Sequence, residues 1–154
     1  MHAPSEDKSD DLKNSFYEEF VQAFDHFRRF HIKIVLGDYN AKVGRENIFK
    51  PTIGKESMHQ DSNDNGVRIV NFGKSKHLVV KSTIFPHRKI HKCTCASPDG
   101  QTHNQIDHIL IDRRRDSCII DVRSFRGANC DTDHYLVVAK VRERLAVRKS
   151  STEF

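Results

Sequence analysis

The longest regular pattern of apolar positions lies in residues 9–30. Leu12, Phe16, Phe20, Phe24 and Phe27 recur at helical spacing, with Val21 and Phe30 beside them. The pattern predicts an amphipathic helix that starts near Ser9 and carries Asp10 and Asp11 in its first turn, where negative charge is favourable. Half of the ten phenylalanines sit on this element, which makes it a face to pack on a sheet. The period then changes. Ile32, Ile34 and Leu36 alternate, with Val35 on the opposite side, so residues 32–36 read as a strand. It runs into Gly37-Asp38-Tyr39-Asn40, where polarity switches within one residue.

Residues 41–65 are irregular and long for a connection, which predicts a functional or poorly ordered loop. Lys42, Arg45, Lys50 and Lys55 make it basic, consistent with a phosphate contact or with simple solvation. Asp64-Asn65-Gly66 opens a second helix over about 66–76, with Asp64 as its cap. Strands are predicted over 78–83, 91–97, 103–112, 118–125 and 135–141, and Pro98-Asp99-Gly100 is a hairpin turn. Within 103–112, Asp107 shares a side with Ile109 and Ile111, while Ile106, His108 and Leu110 take the other. Helix, strand, loop, helix and then strands joined by turns predict an α+β fold with an antiparallel sheet. One domain is expected over residues 1–142, followed by a charged, frayed tail over 143–154.

Composition narrows the class. Hydrophobic residues make up 36% and charged residues 31%, polar for a globular chain but too rich in Phe, Ile and Val for a disordered one. The formal net charge of +5 suits a polyanionic partner such as nucleic acid. No apolar run follows Met1 and none approaches membrane length, so the expectation is an intracellular protein, nuclear or cytoplasmic, with reduced thiols at Cys93, Cys95, Cys118 and Cys130. Cys93 and Cys95 with nearby histidines raise the idea of zinc. No second closely spaced Cys pair exists, and small residues in a strand explain them better.

Three polar spots stand out at or inside predicted strands. Asp38 and Asn40 are two apart and leave an extended chain on one side, although Asp, Asn and Gly are also ordinary turn residues. Asp107 interrupts an Ile- and Leu-rich strand, where a carboxylate is costly without a partner. Asp133 and His134 precede the last strand and need a chain turn to converge, which Gly127-Ala128-Asn129 permits. Carboxylates for a metal, an oriented histidine and an amide are the parts of a metal-assisted phosphodiester hydrolase.

These three spots, in this order, resemble a known set of motifs. Gly37-Asp38-Tyr39-Asn40-Ala41, Gln105-Ile106-Asp107-His108-Ile109-Leu110 and Thr132-Asp133-His134 are similar to the G-D-[FY]-N-A, Q-I-D-[YH]-[IV]-L and S-D-H motifs of the endonuclease/exonuclease/phosphatase superfamily. The likeness is greatest to the apurinic-type endonuclease domain of non-LTR retrotransposons, over essentially the whole chain. It implies the C-terminal two-thirds of a four-layer α/β/β/α sandwich and DNA as the partner. It implies that Asp38 orients or deprotonates the attacking water and Asn40 holds the nucleophile or a phosphate oxygen. His134, oriented by Asp107, would stabilise the scissile phosphate, and Asp133 would hold Mg²⁺ or Mn²⁺. The family's early Asn and its main metal-binding Glu have no counterpart here, His2 stands where the family has a catalytic Tyr, Thr132 replaces Ser, and Cys93 and Cys95 replace large aromatics. The resemblance therefore implies weak activity or none, unless another carboxylate such as Asp131 or Glu6 takes the missing place. The alternative is a catalytically dead, basic nucleic-acid-binding remnant that uses Arg113-Arg114-Arg115, Arg123 and Arg126.

Overall fold

The computed structural model describes residues 1–27, 32–125 and 133–142. Its central strand is β5 (Asp107–Asp112), paired antiparallel on one side with β1 (Ile34–Asp38) and on the other with β2 (Leu78–Val80). The alternation along β5 feeds two different layers. Leu110 faces a core built with α1 (Asp10–His26) and α2 (Asp64–Ser75), while Ile109 and Ile111 face β6 (Ile119–Phe125) and β7 (Leu136–Val141). Helices, a three-stranded sheet and a two-stranded sheet thus stack in order, a mixed α+β sandwich. A hairpin of two-residue strands, β3 (Cys95–Ala96) and β4 (His103–Asn104), lies at the site end. No helix among the described residues is long and apolar enough to cross a membrane.

The first helix forms as its sequence predicts. Ser9 is the extended N-cap, its Oγ accepts from the Leu12 N–H at 3.4 Å, and Asp10 and Asp11 occupy the first turn. Only the middle of the apolar stripe is used. Phe20 is buried and stacks on Phe72 of α2 at 4.2 Å between ring centroids, and Phe24 meets Phe72 edge-on at 5.5 Å. Leu12 and Phe27, at the two ends, stay exposed. Phe30 lies outside the described residues.

The second helix begins earlier than expected, and its cap is Asn63 rather than Asp64. The Asn63 Oδ1 accepts from Gly66 N–H at 2.8 Å and from Lys42 N–H at 3.0 Å. One amide therefore closes both the helix and the preceding loop. Asp64 instead pairs with Lys13 and Arg68. The 41–65 loop is not loosely held: Ala41, Val43 and Ile53 are buried, and Arg45 gives its Nε–H to the Ser57 carbonyl at 2.8 Å. Burial of these small apolar residues makes the segment part of the core.

Three predicted strands are shortened, each because side chains or local turns take the ladder's hydrogen bonds. The amides of His91, Lys92 and Cys93 return to Arg88 and Lys89, forming a 3₁₀ turn (Lys89–His91) and leaving only β3 extended. The 103–112 segment breaks in two because Gln105 N–H goes to His59 Nε2, while those of Ile106 and Asp107 go to the Thr94 hydroxyl. The 78–83 segment ends in a 3₁₀ turn (Lys81–Thr83) closed by Ile84 N–H on Lys81.

Candidate functional site

The site starts where β1 and β5 end together, because the register places Asp38 directly opposite Asp107. Beyond Asp38 the chain turns. Asn40 has a left-handed φ of 47°, which Asn tolerates better than most residues, and its N–H reaches back to Asp38 Oδ1 at 2.9 Å. The turn reading of this stretch holds, and the turn orients the Asp38 carboxylate. The Asn40 side chain donates from Nδ2 to the Ala3 carbonyl at 2.7 Å, so it braces the N-terminal segment. Beneath the turn, His108 is fully buried between the Ser82 hydroxyl on Nδ1 (2.8 Å) and the Ala41 carbonyl on Nε2 (2.7 Å). These partners fit a neutral ring that donates from Nε2. Desolvation pushes its pKa down to about 4.

Gly37 has a steric purpose. A Cβ there would stand 2.7 Å from the Met1 carbonyl oxygen, so only glycine lets the Met1–Ala3 segment lie against β1. That segment is fixed by Asp38 N–H to Met1 O (2.9 Å) and Ala3 N–H to Asp38 O (2.8 Å). The pairing sets His2 beside Asp38, with Nδ1 3.2 Å from Oδ2.

His134 arrives from the other side. Ala96 N–H donates to Asp133 O (3.0 Å) and Tyr135 N–H to Thr94 O (2.8 Å), so the chain around His134 runs beside β3. Its Nδ1 lies 3.0 Å from Asp107 Oδ2 and its Nε2 3.5 Å from Asp38 Oδ2. Burial raises the Asp107 pKa, opposed by hydrogen bonds from Thr94 and His134. Asp38, Asp107 and His134 thus converge, each offering one ligand atom within 4.8 Å of the others.

The remaining predicted residues are placed differently. Asp133 is exposed, and its carboxylate is not among the converging atoms. Glu6 is not a substitute metal ligand: its carboxylate accepts the Asp64 and Asn65 amides at 3.1 Å each, capping α2. Asp131, Thr132 and Arg126 lie outside the described residues. Cys93 and Cys95 join no group of three convergent ligands among the described residues. Sequence reasoning passed over Thr94, which is buried and ties the site together. Its hydroxyl accepts two amides of the Asp107 segment, and its carbonyl accepts from the chain that carries His134. A hydroxyl flanked by Cys93 and Cys95 carries no signal of that role.

The converging donors are two carboxylates and imidazole. Mg²⁺ asks for a near-octahedral set of hard oxygens, and the described residues bring no such set together here. The acidic and imidazole mixture does fit a divalent ion in the coarser sense.

Comparison with known proteins places the chain among relatives of similar sequence and similar fold. No protein-family model matches the chain. It is 32% identical over 139 residues to craniofacial development protein 2 of Tragulus javanicus, covering 89% of this chain and 24% of that protein. It is 30% identical over 154 residues to craniofacial development protein 2 of Bos taurus, covering 99% and 25%. The chain thus spans about a quarter of the length of the curated relatives it matches. Its structure is similar to the endonuclease domain of TRAS1, a telomere-specific non-LTR retrotransposon, with a TM-score of 0.60 and 13% identity over 93% of this chain and 56% of that one. The chain is similar in sequence to about a quarter of craniofacial development protein 2, and its fold is similar to that of the endonuclease domain of a non-LTR retrotransposon.

Proposed function

We propose that this chain carries part of a metal-dependent phosphodiester hydrolase that acts on DNA. The observation that supports it is the convergence of Asp38, Asp107 and His134 from three separate segments. In this reading Asp38, with Oδ1 held by the Asn40 amide, takes the proton from the attacking water through Oδ2. Asp107 holds His134 through Nδ1, so that the ring presents Nε2 to the charge that builds on the phosphate. Asn40 acts by holding the turn and Ala3. Asp133 is the residue beside the cluster with a carboxylate open to Mg²⁺ or Mn²⁺, and alone it is a weak ligand. The reaction is therefore slow.

The test is nicking of supercoiled plasmid with Mg²⁺ and with Mn²⁺. Slow nicking that disappears in Asp38→Ala and His134→Ala is the expected result. Nicking that survives both substitutions would assign it to something else.

A second reading has its own support. Arg114 and Arg115 are exposed on the turn between β5 and β6, and the net charge is +5. A binding remnant without catalysis would hold DNA without added metal and lose it steeply with salt, with no effect of Asp38→Ala.

A further inference from the structure

We propose that the 3₁₀ turn Lys89–His91, with Arg88 before it, is a contact surface for the backbone of duplex DNA. The proposal rests on the hydrolase reading for DNA as the ligand, and not on its chemistry.

The turn is mounted rigidly on the second sheet. Its backbone closes on itself through His91 N–H to Arg88 O at 2.9 Å, Lys92 N–H to Lys89 O at 3.1 Å and Cys93 N–H to Lys89 O at 3.0 Å. Three side chains of β6 then hold the segment. Asp121 Oδ1 lies 2.6 Å from His87 Nε2, Arg123 donates from Nη2 to His91 Nδ1 at 3.1 Å, and the Ser124 hydroxyl donates to the Ile90 carbonyl at 3.4 Å. Surface segments are ordinarily the mobile parts of a fold. One fixed at three points loses little freedom when it meets a partner. Arg123 gives its guanidinium to His91 and to the Phe125 ring, 4.5 Å away, so it positions the turn rather than touching DNA.

The mount presents positive and apolar groups. Arg88, Lys89 and Ile90 are exposed, Ile90 at 44%. Asp121 is taken by His87 and Glu56 by Lys92, and among the described residues no carboxylate forms an ion pair with Arg88 or Lys89. Adjacent cations without acids of their own suit a duplex, which carries one negative charge per about 1.7 Å of its axis. An isoleucine beside them suits the groove, where proteins set apolar side chains against the bases. A membrane surface would need a whole apolar helix face, and the turn offers one apolar side chain.

Position completes the case. Ile90 is four residues from Thr94, whose hydroxyl holds the Asp107 segment. Four residues span at most about 14 Å. That is less than half of the roughly 34 Å in one turn of duplex. One short stretch of duplex therefore spans both the turn and the candidate site.

Fluorescence anisotropy of a short labelled duplex, with the whole chain in EDTA over a series of salt concentrations, tests this. Arg88→Ala with Lys89→Ala should weaken binding on the order of tenfold and reduce the salt slope by about one for each side chain. Lys8→Ala with Lys74→Ala removes the same charge at exposed positions elsewhere and should leave the slope nearly unchanged. Arg88→Lys with Lys89→Arg should keep the parent's slope. Ile90→Ser should weaken binding by about threefold with the slope intact. All these side chains are exposed, so folding survives, which the thermal melt checks. A parent chain that binds no duplex would overturn the proposal. So would an unchanged slope in the Arg88–Lys89 variant, an equal loss in the Lys8–Lys74 variant, or tighter binding to vesicles of phosphatidylserine and phosphatidylcholine than to the duplex. Binding through the turn without plasmid nicking in Mg²⁺ or Mn²⁺ would sink the hydrolase reading alone. Nicking by a chain whose binding ignores the turn would sink this one alone.

Discussion

The two faces of β5 are packed in opposite ways. Toward the helices, Leu110 sits with Phe20, Tyr39, Ile69, Val70, Phe72 and Val80 in a thick, aromatic-rich core. Toward the second sheet, among the described residues, Ile109 and Ile111 meet Ile119 and Val122 as buried partners, with Phe85, Cys118, Val137 and Ala139 at the margin. The strands that form this thin side also expose Ile120, Leu136 and Val141. The candidate site lies at the end of the thin face, because Asp107 continues the Ile109–Ile111 row. The thick face holds the scaffold and the buried His108; the thin face holds the groups that must meet solvent. A carboxylate can survive in a strand of this kind only where packing stops and a partner such as His134 reaches it.

The most direct way to break this comparison uses two neighbours. Leu110 and Ile111 are both fully buried, on opposite faces of one strand. Leu110→Ala opens a cavity in a rigid aromatic core and is expected to cost about 4–5 kcal/mol, the upper part of the range for such truncations. Ile111→Ala opens a space that a thin layer can partly close, at about 2–3 kcal/mol. Urea unfolding of both variants decides it, and equal losses would show that the two layers are equally rigid.

A second prediction concerns pH and belongs to the thick face. His108 is held neutral in the folded chain down to about pH 4, whereas an unfolded chain takes up its proton near pH 6.5. Below pH 6.5 the unfolded state therefore binds a proton that the native state refuses, and stability falls as pH falls. The loss amounts to about 3 kcal/mol by the time pH 4 is reached. Burial lowers the pKa of His59 in the same sense. Urea midpoints between pH 7 and pH 5 should drop, and His108→Gln should flatten the slope by about 1.4 kcal/mol per pH unit at its steepest. A profile identical to that of the parent would remove His108 as the cause.

The third prediction tests how the helices are anchored to the site loop. Replacing glycine by alanine inside a helix ordinarily stabilises it by about 1 kcal/mol. At Gly66 a Cβ would stand 2.0 Å from the Lys42 carbonyl oxygen, a backbone atom held by the loop. Gly66→Ala should therefore destabilise, by about 1–3 kcal/mol, and shift the loop that leads into the site. A rise in Tm would show that the loop yields freely.

What could be read beforehand follows the same division. The Phe stripe, the Ser9 cap and the alternation around Asp107 were legible because each depends on local periodicity or a single side chain. The three polar motifs were legible as an ordered set, and the structure brings Asp38, Asp107 and His134 into contact. Thr94 was not legible, since its role is to replace missing ladder bonds between segments far apart in sequence. The purpose of Gly37 needed the Met1–Ala3 segment beside it. The contact of His2 with Asp38 was not legible, because its partner lies 36 residues away in the chain. The shortened strands share that cause: side chains of His59 and Thr94 capture amides that alternation alone assigns to a ladder.

The smallest effect expected is at Asp107, and its sign is the informative part. Burial raises the pKa of this carboxyl, so at neutral pH the charged form opposes folding despite its bonds from Thr94 and His134. The penalty is present above the folded pKa and vanishes below the unfolded value near 3.9, where the group is neutral in both states. Asp107→Asn keeps an oxygen for His134 and removes the charge. It should raise the urea midpoint slightly at pH 7, leave it unchanged near pH 3, and reduce any plasmid nicking. Ile109→Val, one step along the same face, should instead lower the midpoint at both pH values, by about 0.5–1.5 kcal/mol. Opposite signs at adjacent inward positions would mean that the thin face trades stability for a charged group at its open end. A fall in stability for Asp107→Asn at pH 7 would mean that the carboxylate holds the two sheets together, and that the site is part of the scaffold after all.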